Sequence, residues 1–595
     1  MNRSILAIAV ASLLPHASLS YAQEVSADET MVVTANRFEQ SSSDVIAPIE
    51  IVTKEEIEAI QAKSLTEVLR RLPGVQIASN GGYGQTTSVF IRGSESDHVL
   101  VLMNGVRIGD AYSGGAAINA ISLNGVERIE YIRGPRTAIY GSDALGGVIN
   151  IITSYTDPQI EVSAGLGSDN LNQVQLLVAE EITENTWGKL SLNRLETDGF
   201  DVTVSDAGDQ GDDDGFKSED AALELGVRFN ENWTARLNGD YADTFVEYDQ
   251  GEIEQRLYNL SLVTQYQTES FHSDLVLGTN EDKKYYPSFD SNYQTNRDTM
   301  TWSNFFALAN DMSVNAGIDW YKDDVSSTSS DLDETSRTNT AVYLTGLYNG
   351  DVLQLEGSAR TDDNQRYGRN NTWQLGLGYR FSEHYRVTGN TGTAFKAPTF
   401  SDLYSPLVCY PTCYSGNPNL KPEESKNYEV AIEADYSYLS VRLAAYRNDI
   451  DNLILGDIKE NVGEARIEGI EISSTFETGP ISHSASFDWM DPKDLDNDEQ
   501  LARRAKHSGK WNMTYFGSDW QVDLSYLYQG ERPDLTANDI TLDSYSLVDF
   551  AGTYFVNDSF SVRARISNLL DEEYETAGGY NTQDRSYFAS VKYQF

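Results

Sequence analysis

The sequence predicts an all-β transmembrane barrel of about 22 antiparallel strands, with an N-terminal α+β plug domain inside the lumen. Three observations carry this. A secretory leader opens the chain, and no later apolar run approaches the roughly 18 residues that a membrane-spanning helix needs. From about Gln159 onward the hydrophobic pattern has a period of two. Glycine (45 residues) and tyrosine (35) are abundant, as many turns and interfacial aromatic girdles require.

In the leader, Arg3 supplies the early positive charge and Ile5 to Leu14 is apolar. Ser20-Tyr21-Ala22 then places small residues at the minus-three and minus-one positions of a cleavage site. Residues 1–22 are read as a signal peptide, because the apolar run is too short for an anchor. Residues 23–36 follow as an N-terminal segment, 37–157 as the plug and 158–595 as the barrel.

Within the plug, Thr53 to Glu56 and Ser64 to Glu67 match the S/T-x-x-E capping box, in which a hydroxyl and a carboxylate satisfy the free amides of a helix start. Helices are predicted over Glu55–Ala62 and Leu65–Arg71, the second stopped by Pro73-Gly74. Short apolar runs predict strands over Thr87–Ile91, Val99–Met103, Val126–Ile132 and Val148–Ile152. Beyond Gln159, Tyr428, Val430 and Ile432 alternate with Glu429, Ala431 and Glu433, and Tyr587, Val591 and Phe595 continue the scheme at the end. Strands with a greasy outside and a polar inside suit a tilted span of a bilayer. So wide a barrel needs filling, and the N-terminal globule is the natural stopper.

With 91 Asp+Glu against 44 Lys+Arg, the formal charge is −47, which excludes nucleic acid as a partner because phosphates are repelled. Mean hydropathy is −0.44. Cys409 and Cys413 stand four residues apart in CYPTC; in an exported chain a loop-stapling disulfide is expected, with a metal pair as the alternative. The acidic stretch from Asp201 to Gly215 reads either as a solvated loop or as a collector of hard cations. It is no EF-hand: position 210 is Gln, and position 221, where Glu is required, is Ala. No catalytic triad, nucleotide loop or catalytic metal motif is present, so an enzyme is not expected. The plug rules out a passive porin.

Several stretches name a family. LRRLPGV (Leu69–Val75), FIRG (Phe90–Gly93), HVLVLMNGV (His98–Val106), IEYIRGP (Ile129–Pro135) and YGSDALGGVINI (Tyr140–Ile151) resemble the plug of TonB-dependent receptors. NPNLKPEESKNYE (Asn417–Glu429) is similar to the matching barrel motif. Glu29, Thr30, Met31, Val32, Val33, Thr34 and Ala35 look like a TonB box, an extended segment able to add as a strand to a partner's sheet edge. AFKAP, YRNDIDNLI, EARIEGIE and LARRAK extend the likeness along the whole chain, to the cobalamin-importing branch of the family.

The resemblance implies capture of cobalamin (vitamin B12) and related corrinoids outside the cell and energy coupling by TonB. It also implies extracellular loops ordered by calcium, and a monomer set in outer-membrane lipid and lipopolysaccharide. By the same resemblance, calcium falls to Asp201, Gln210, Asp212, Asp214, Tyr248, Asp249 and Glu254, with Glu252 as the alternative to the last. The corrinoid falls to Thr86, Ser88, Glu95, Ser113 and Gly114 of the plug, and to Gln250, Thr295 and Arg503 of the barrel. Arg503 is equally suited to lipopolysaccharide or solvent. Arg92, Arg133 and Arg136 are expected in buried plug–barrel ion pairs, with lumen carboxylates such as Glu429 and Glu433 as partners. Competing readings are siderophore and haem receptors on the same fold. The first lacks paired acidic loops, and the second needs exposed axial ligands, which the 6 histidines do not supply as a pair.

Overall fold

A computed structural model describes residues 32–204, 211–249, 251–329, 332–409, 413–455, 458–461, 463–534 and 540–595. The expected signal peptide and Glu29–Met31 lie outside the described residues, as do Gln210 and Gln250.

The described residues from Gln159 onward form one closed antiparallel barrel of 22 strands. It closes between the first strand, Gln159–Gly167, and the last, Ser586–Gln594, with Val162 opposite Tyr593. Period two is visible in the burial. In Glu423–Tyr436, Glu429, Ala431 and Glu433 are buried toward the lumen, whereas Tyr428, Val430 and Ile432 are exposed. Outward leucines such as Leu192, Leu225 and Leu375 give the apolar band that lipid must cover. Aromatic pairs flank the short turns: Phe229 with Trp233, Phe381 with Tyr385, and Trp520 with Tyr554. They form a girdle at the end of the barrel opposite the long loops.

The plug is built on a five-stranded sheet in the order Ile49–Thr53, Arg128–Arg133, Gly147–Ile152, Val99–Met103, Val106–Ile108. One pair, Val99–Met103 with Gly147–Ile152, is parallel. A separate hairpin joins Val75–Ser79 to Thr87–Ile91. Helix α1 spans Lys54–Ile60 behind a complete Thr53/Glu56 capping box. It ends earlier than the sequence predicts, because Gln61 turns left-handed (φ 53°) and its side chain donates to Gly552 O in the barrel wall. Helix α2 spans Leu65–Leu69. Ser64 caps it, but Glu67, instead of reaching back to Ser64, ion-pairs with Arg565 of the barrel. One face of the sheet, with Ile129, packs on Leu65, Leu69 and Val89. The other packs on Val33, Ala35, Ile139 and Tyr140.

That second core holds Val33 and Ala35 of the segment that resembles a TonB box. Val32–Val33 pairs with Gln40–Ser41. Val33 and Ala35 are fully buried. Thr34 donates through N and Oγ1 to Glu130 Oε2, at 3.1 and 2.5 Å, and Tyr140 Oη donates to Thr34 O at 2.6 Å. The segment is docked here, so offering it to a partner requires its release.

The plug arginines make the predicted type of pair with partly different partners. Arg92 meets Glu429 and, at 3.2 Å, Glu471; Arg133 meets Glu471 at 2.7 Å and Glu50 at 2.8 Å; Arg136 meets Glu356 at 2.7 Å. Glu433 is not a plug partner. It is taken by Arg386 and Arg442 of neighbouring strands, at 2.7 and 3.1 Å. Cys409 and Cys413 are joined as a disulfide across a two-residue strand pair.

Candidate ligand cavity and cation loops

Between the plug's outward loops and the barrel wall lies a cavity of about 710 Å³. Thr86, Ser88, Glu95 and Ser113 line it, as the sequence suggests. Their loops are pinned from below. Asn119 Nδ2 donates to Gln85 O and to Thr87 Oγ1, both at 2.6 Å, and Gln85 Nε2 donates to Glu247 O of the barrel at 2.6 Å. Gly84 (φ +75°) lets the loop press on the wall: a Cβ there would come within 2.4 Å of the Phe216 ring.

Glu95 forms an ion pair with Arg504, and its backbone N–H donates to His98 Nδ1 at 3.3 Å. His98 Nε2 therefore carries the proton toward Glu423 Oε2, 2.6 Å away. Burial disfavours the imidazolium, yet Glu423 raises the His98 pKa above its ordinary value. His98 is fully buried, so it offers no ligand to a bound haem.

Three of the barrel and loop assignments do not reach this cavity. Thr295 is wholly buried: its Oγ1 donates to Asp110 Oδ1 at 2.6 Å and accepts the Ala111 N–H at 3.1 Å, a plug–barrel clamp. Arg503 is held by Asp534 at 2.5 Å and does not line the cavity. Gly114 sits between lining neighbours but faces the wall, where a Cβ would meet Thr399 at 2.7 Å. Sequence reasoning missed Lys284, Lys396, Asp402, Glu423 and Lys459, which line the cavity. Lys396 and Glu423 stand within AFKAP and NPNLKPEES, so the family motifs held that signal.

At the acidic loops, Asp214 accepts the Val202 N–H at 2.9 Å, and Asp201 accepts the Thr203 N–H at 3.0 Å. Asp214 begins the extracellular extension of its strand. Burial pushes its carboxyl up to about 6, and the neighbouring Asp212, Asp201 and Asp249 push in the same direction. These carboxylates are thus electrostatic neighbours. Asp249 Oδ1 is buried without a hydrogen-bond partner, and Tyr248 is half-buried beside it. The donor set is all oxygen, as a hard cation prefers. Among the described residues, however, no three Asp, Glu, His or Cys side chains are close enough to enclose a metal as they stand. Glu254 and Glu252 are both exposed, on a strand whose Ile253 and Gln255 line the lumen cavity. Glu247, which the sequence did not suggest, comes closer: its Oε2 accepts the Gly215 N–H at 3.0 Å.

Comparison with known proteins gives a consistent picture. The model of the family "TonB-dependent Receptor Plug Domain" matches residues 41–148, and that of "TonB dependent receptor-like, beta-barrel" matches residues 165–569. The vitamin B12 transporter BtuB of Photobacterium profundum is 46% identical over 618 residues, with all of both chains covered. The vitamin B12 transporter BtuB of Vibrio cholerae is 38% identical over 622 residues, again with full coverage. Among solved structures, the siderophore receptor PirA of Acinetobacter baumannii superposes with a TM-score of 0.79 at 20% identity, covering 92% of this chain and 98% of that one. The ferric yersiniabactin receptor FyuA of Yersinia pestis gives 0.76 at 17%, with the same coverage. At such identities the structural likeness concerns the fold alone.

Proposed function

The chain belongs to the TonB-dependent receptors, plugged β-barrels of the outer membrane, and from that premise we propose that it imports cobalamin and related corrinoids with TonB as its energy-coupling partner. The observation that carries the proposal is the full-length identity of 46% to a vitamin B12 transporter. The cavity supports it. Three lysines (Lys284, Lys396, Lys459) face four carboxylates (Glu95, Asp97, Asp402, Glu423), so the lining is nearly balanced in charge and rich in hydroxyl and amide groups. Such a lining suits a large ligand decorated with amides and does not concentrate the positive charge that an anionic ferric siderophore needs.

In this reading Thr86, Ser88, Glu95 and Ser113 contact the corrinoid on the plug side. Calcium, held by Asp201, Asp212, Asp214 and Asp249 with Gln210 and Tyr248 beside them, supplies charge neutralisation and loop order. The four aspartates repel one another without it, and ordering them beforehand lowers the entropy lost on capture. Coupling to TonB then draws on the segment that includes Val32 to Ala35, once freed from its core. Monomeric state and contact with lipopolysaccharide are part of the same proposal. The test is equilibrium binding to purified protein of cyanocobalamin, haem and a ferric siderophore side by side. Preferential binding of cyanocobalamin is expected; preference for haem or the siderophore overturns the corrinoid assignment.

A further inference from the structure

Three cavities lie along one side of the plug, and the same three barrel strands line all of them or reach their edge. The outer one, described above, touches Lys396 and Glu423. A narrow middle one of about 40 Å³ touches Asn390, Asn427, Glu429 and Tyr446. An inner one of about 550 Å³ touches Arg386, Glu433 and Arg442. Along Glu423–Tyr436 the order is Glu423, then Asn427 and Glu429, then Glu433. Along Tyr385–Lys396 it is Lys396, Asn390, Arg386. Leu439–Asp451 repeats it in reverse chain direction, with Ile454 beyond its outer end, Tyr446 in the middle and Arg442 inside. Glu423 and Glu433 are ten residues apart, about 33 Å along a strand and about 25 Å along the axis of a barrel with the usual tilt, most of the roughly 30 Å hydrocarbon thickness.

The middle and inner cavities share Ala47, Pro48 and Arg133 as lining, so they adjoin. Ser94 of the middle cavity adjoins Glu95 of the outer one in sequence. Two other cavities between plug and wall border the outer one, sharing Ala117 and Ala120 or Thr87 and Asn119 with it. One of about 100 Å³ lies against Ala222, Asp240 and Asn259, and one of about 150 Å³ lies against Tyr545 and Thr576. Neither shares a residue with the inner cavity.

We propose that the substrate crosses the barrel along this one wall, formed by Tyr385–Lys396, Glu423–Tyr436 and Leu439–Asp451 and continued by the four barrel strands that follow, and that the inner cavity is its exit chamber. This rests on the import reading above. The chamber is lined on the barrel side by hydroxyls, among them Ser473, Ser484, Ser486 and Thr514. They offer many weak, exchangeable hydrogen bonds to an amide-rich solute, while the charged neighbours Arg386 and Arg442 are engaged by Glu433. At the narrow middle, Arg92 and Arg133 tie the plug to Glu429 and Glu471. The plug segments carrying Ile91 to Ser94 and Arg133 to Arg136 line that constriction. They must therefore move for passage, whereas the far wall need not change.

The experiment fills the chamber without touching the ligand site. Ser473→Trp and Ser484→Trp are compared with Ala222→Phe on the far wall, each scored for surface binding of labelled cyanocobalamin and for uptake into cells. Uptake is expected to be lost in both serine variants, with surface binding unchanged, and kept in Ala222→Phe. To separate blockage from misfolding, Ser484→Cys is assayed before and after reaction with a bulky thiol reagent. The native cysteines, Cys409 and Cys413, are bonded to each other, so the new thiol alone reacts. Unimpaired uptake in both serine variants and in the labelled cysteine variant overturns the route, as does equal loss in Ala222→Phe. A wild type that imports no cyanocobalamin overturns the functional reading together with the route built on it.

Discussion

Glu356→Ala is expected to loosen the plug from the barrel more than any surface change. Glu356 Oε1 accepts from Arg136 Nη1 at 2.7 Å, and both side chains are 1% exposed. Removing the carboxylate leaves the guanidinium buried without its ion pair, a change that typically costs about 3–5 kcal/mol. Arg136 Nη2 already lacks a hydrogen-bond partner, so the native pair is imperfectly satisfied and its net worth is modest. The double variant Arg136→Ala/Glu356→Ala should therefore be less destabilised than the single, giving a coupling of about 1–3 kcal/mol. At the lower bound of about 3 kcal/mol, the single variant shifts the docked-to-released ratio by roughly 150-fold. Urea unfolding of the plug in detergent, followed separately from the heat-stable barrel, measures this. A single-variant cost below about 1 kcal/mol, or additive single and double effects, would refute the reasoning.

Asp212→Ala with Asp214→Ala should abolish the calcium dependence of cobalamin binding, whereas the wild type should lose about 5- to 150-fold in affinity on chelation. Equal wild-type titrations with calcium and with chelator would remove calcium from the account. Deleting Phe595, whose N–H donates to Ile160 O at 2.9 Å beside the barrel seam, is expected to lower the yield of heat-modifiable barrel in the membrane; unchanged yield would show that the terminal residue is dispensable for insertion. Burial opposes ionisation of Glu58, but Lys592 and Arg563 hold its carboxyl at about 2, below its ordinary value of 4.5. Its stabilising contribution is complete above about pH 4.5 and lost as the pH falls through about 2. Glu58→Gln should thus flatten this part of the acid unfolding curve, and an unaltered curve would count against the pair.

The barrel was legible because its signal is local and repeated. Alternation along residues 428–436 needs no knowledge of neighbouring strands, and their burial follows it. The plug strands Thr87–Ile91 and Val99–Met103 appear at their expected bounds for the same reason. Ile49–Thr53 and Val75–Ser79 escaped notice: each is a short run whose pairing is supplied by a partner distant in sequence or across a turn. The end of the first helix was overrun where the barrel intervenes, since Gln61 spends its side chain on Gly552, and the second capping box was incomplete because Glu67 pairs with Arg565. The same cause explains the site. Thr295 and Arg503 were assigned by likeness of sequence, but whether they face the cavity depends on strand parity and on how the plug is seated, neither of which is encoded locally.

The central claim is energy-coupled import, and Val32→Pro tests it most directly. Val32 pairs with Ser41, and proline there removes a backbone donor and fixes φ, so the segment can no longer offer an intact strand to TonB. Labelled cyanocobalamin is followed in cells carrying either chain, with surface binding and accumulation measured separately. The account expects binding equal to wild type and accumulation abolished; accumulation at the wild-type rate, or binding lost from a normally assembled barrel, would contradict it.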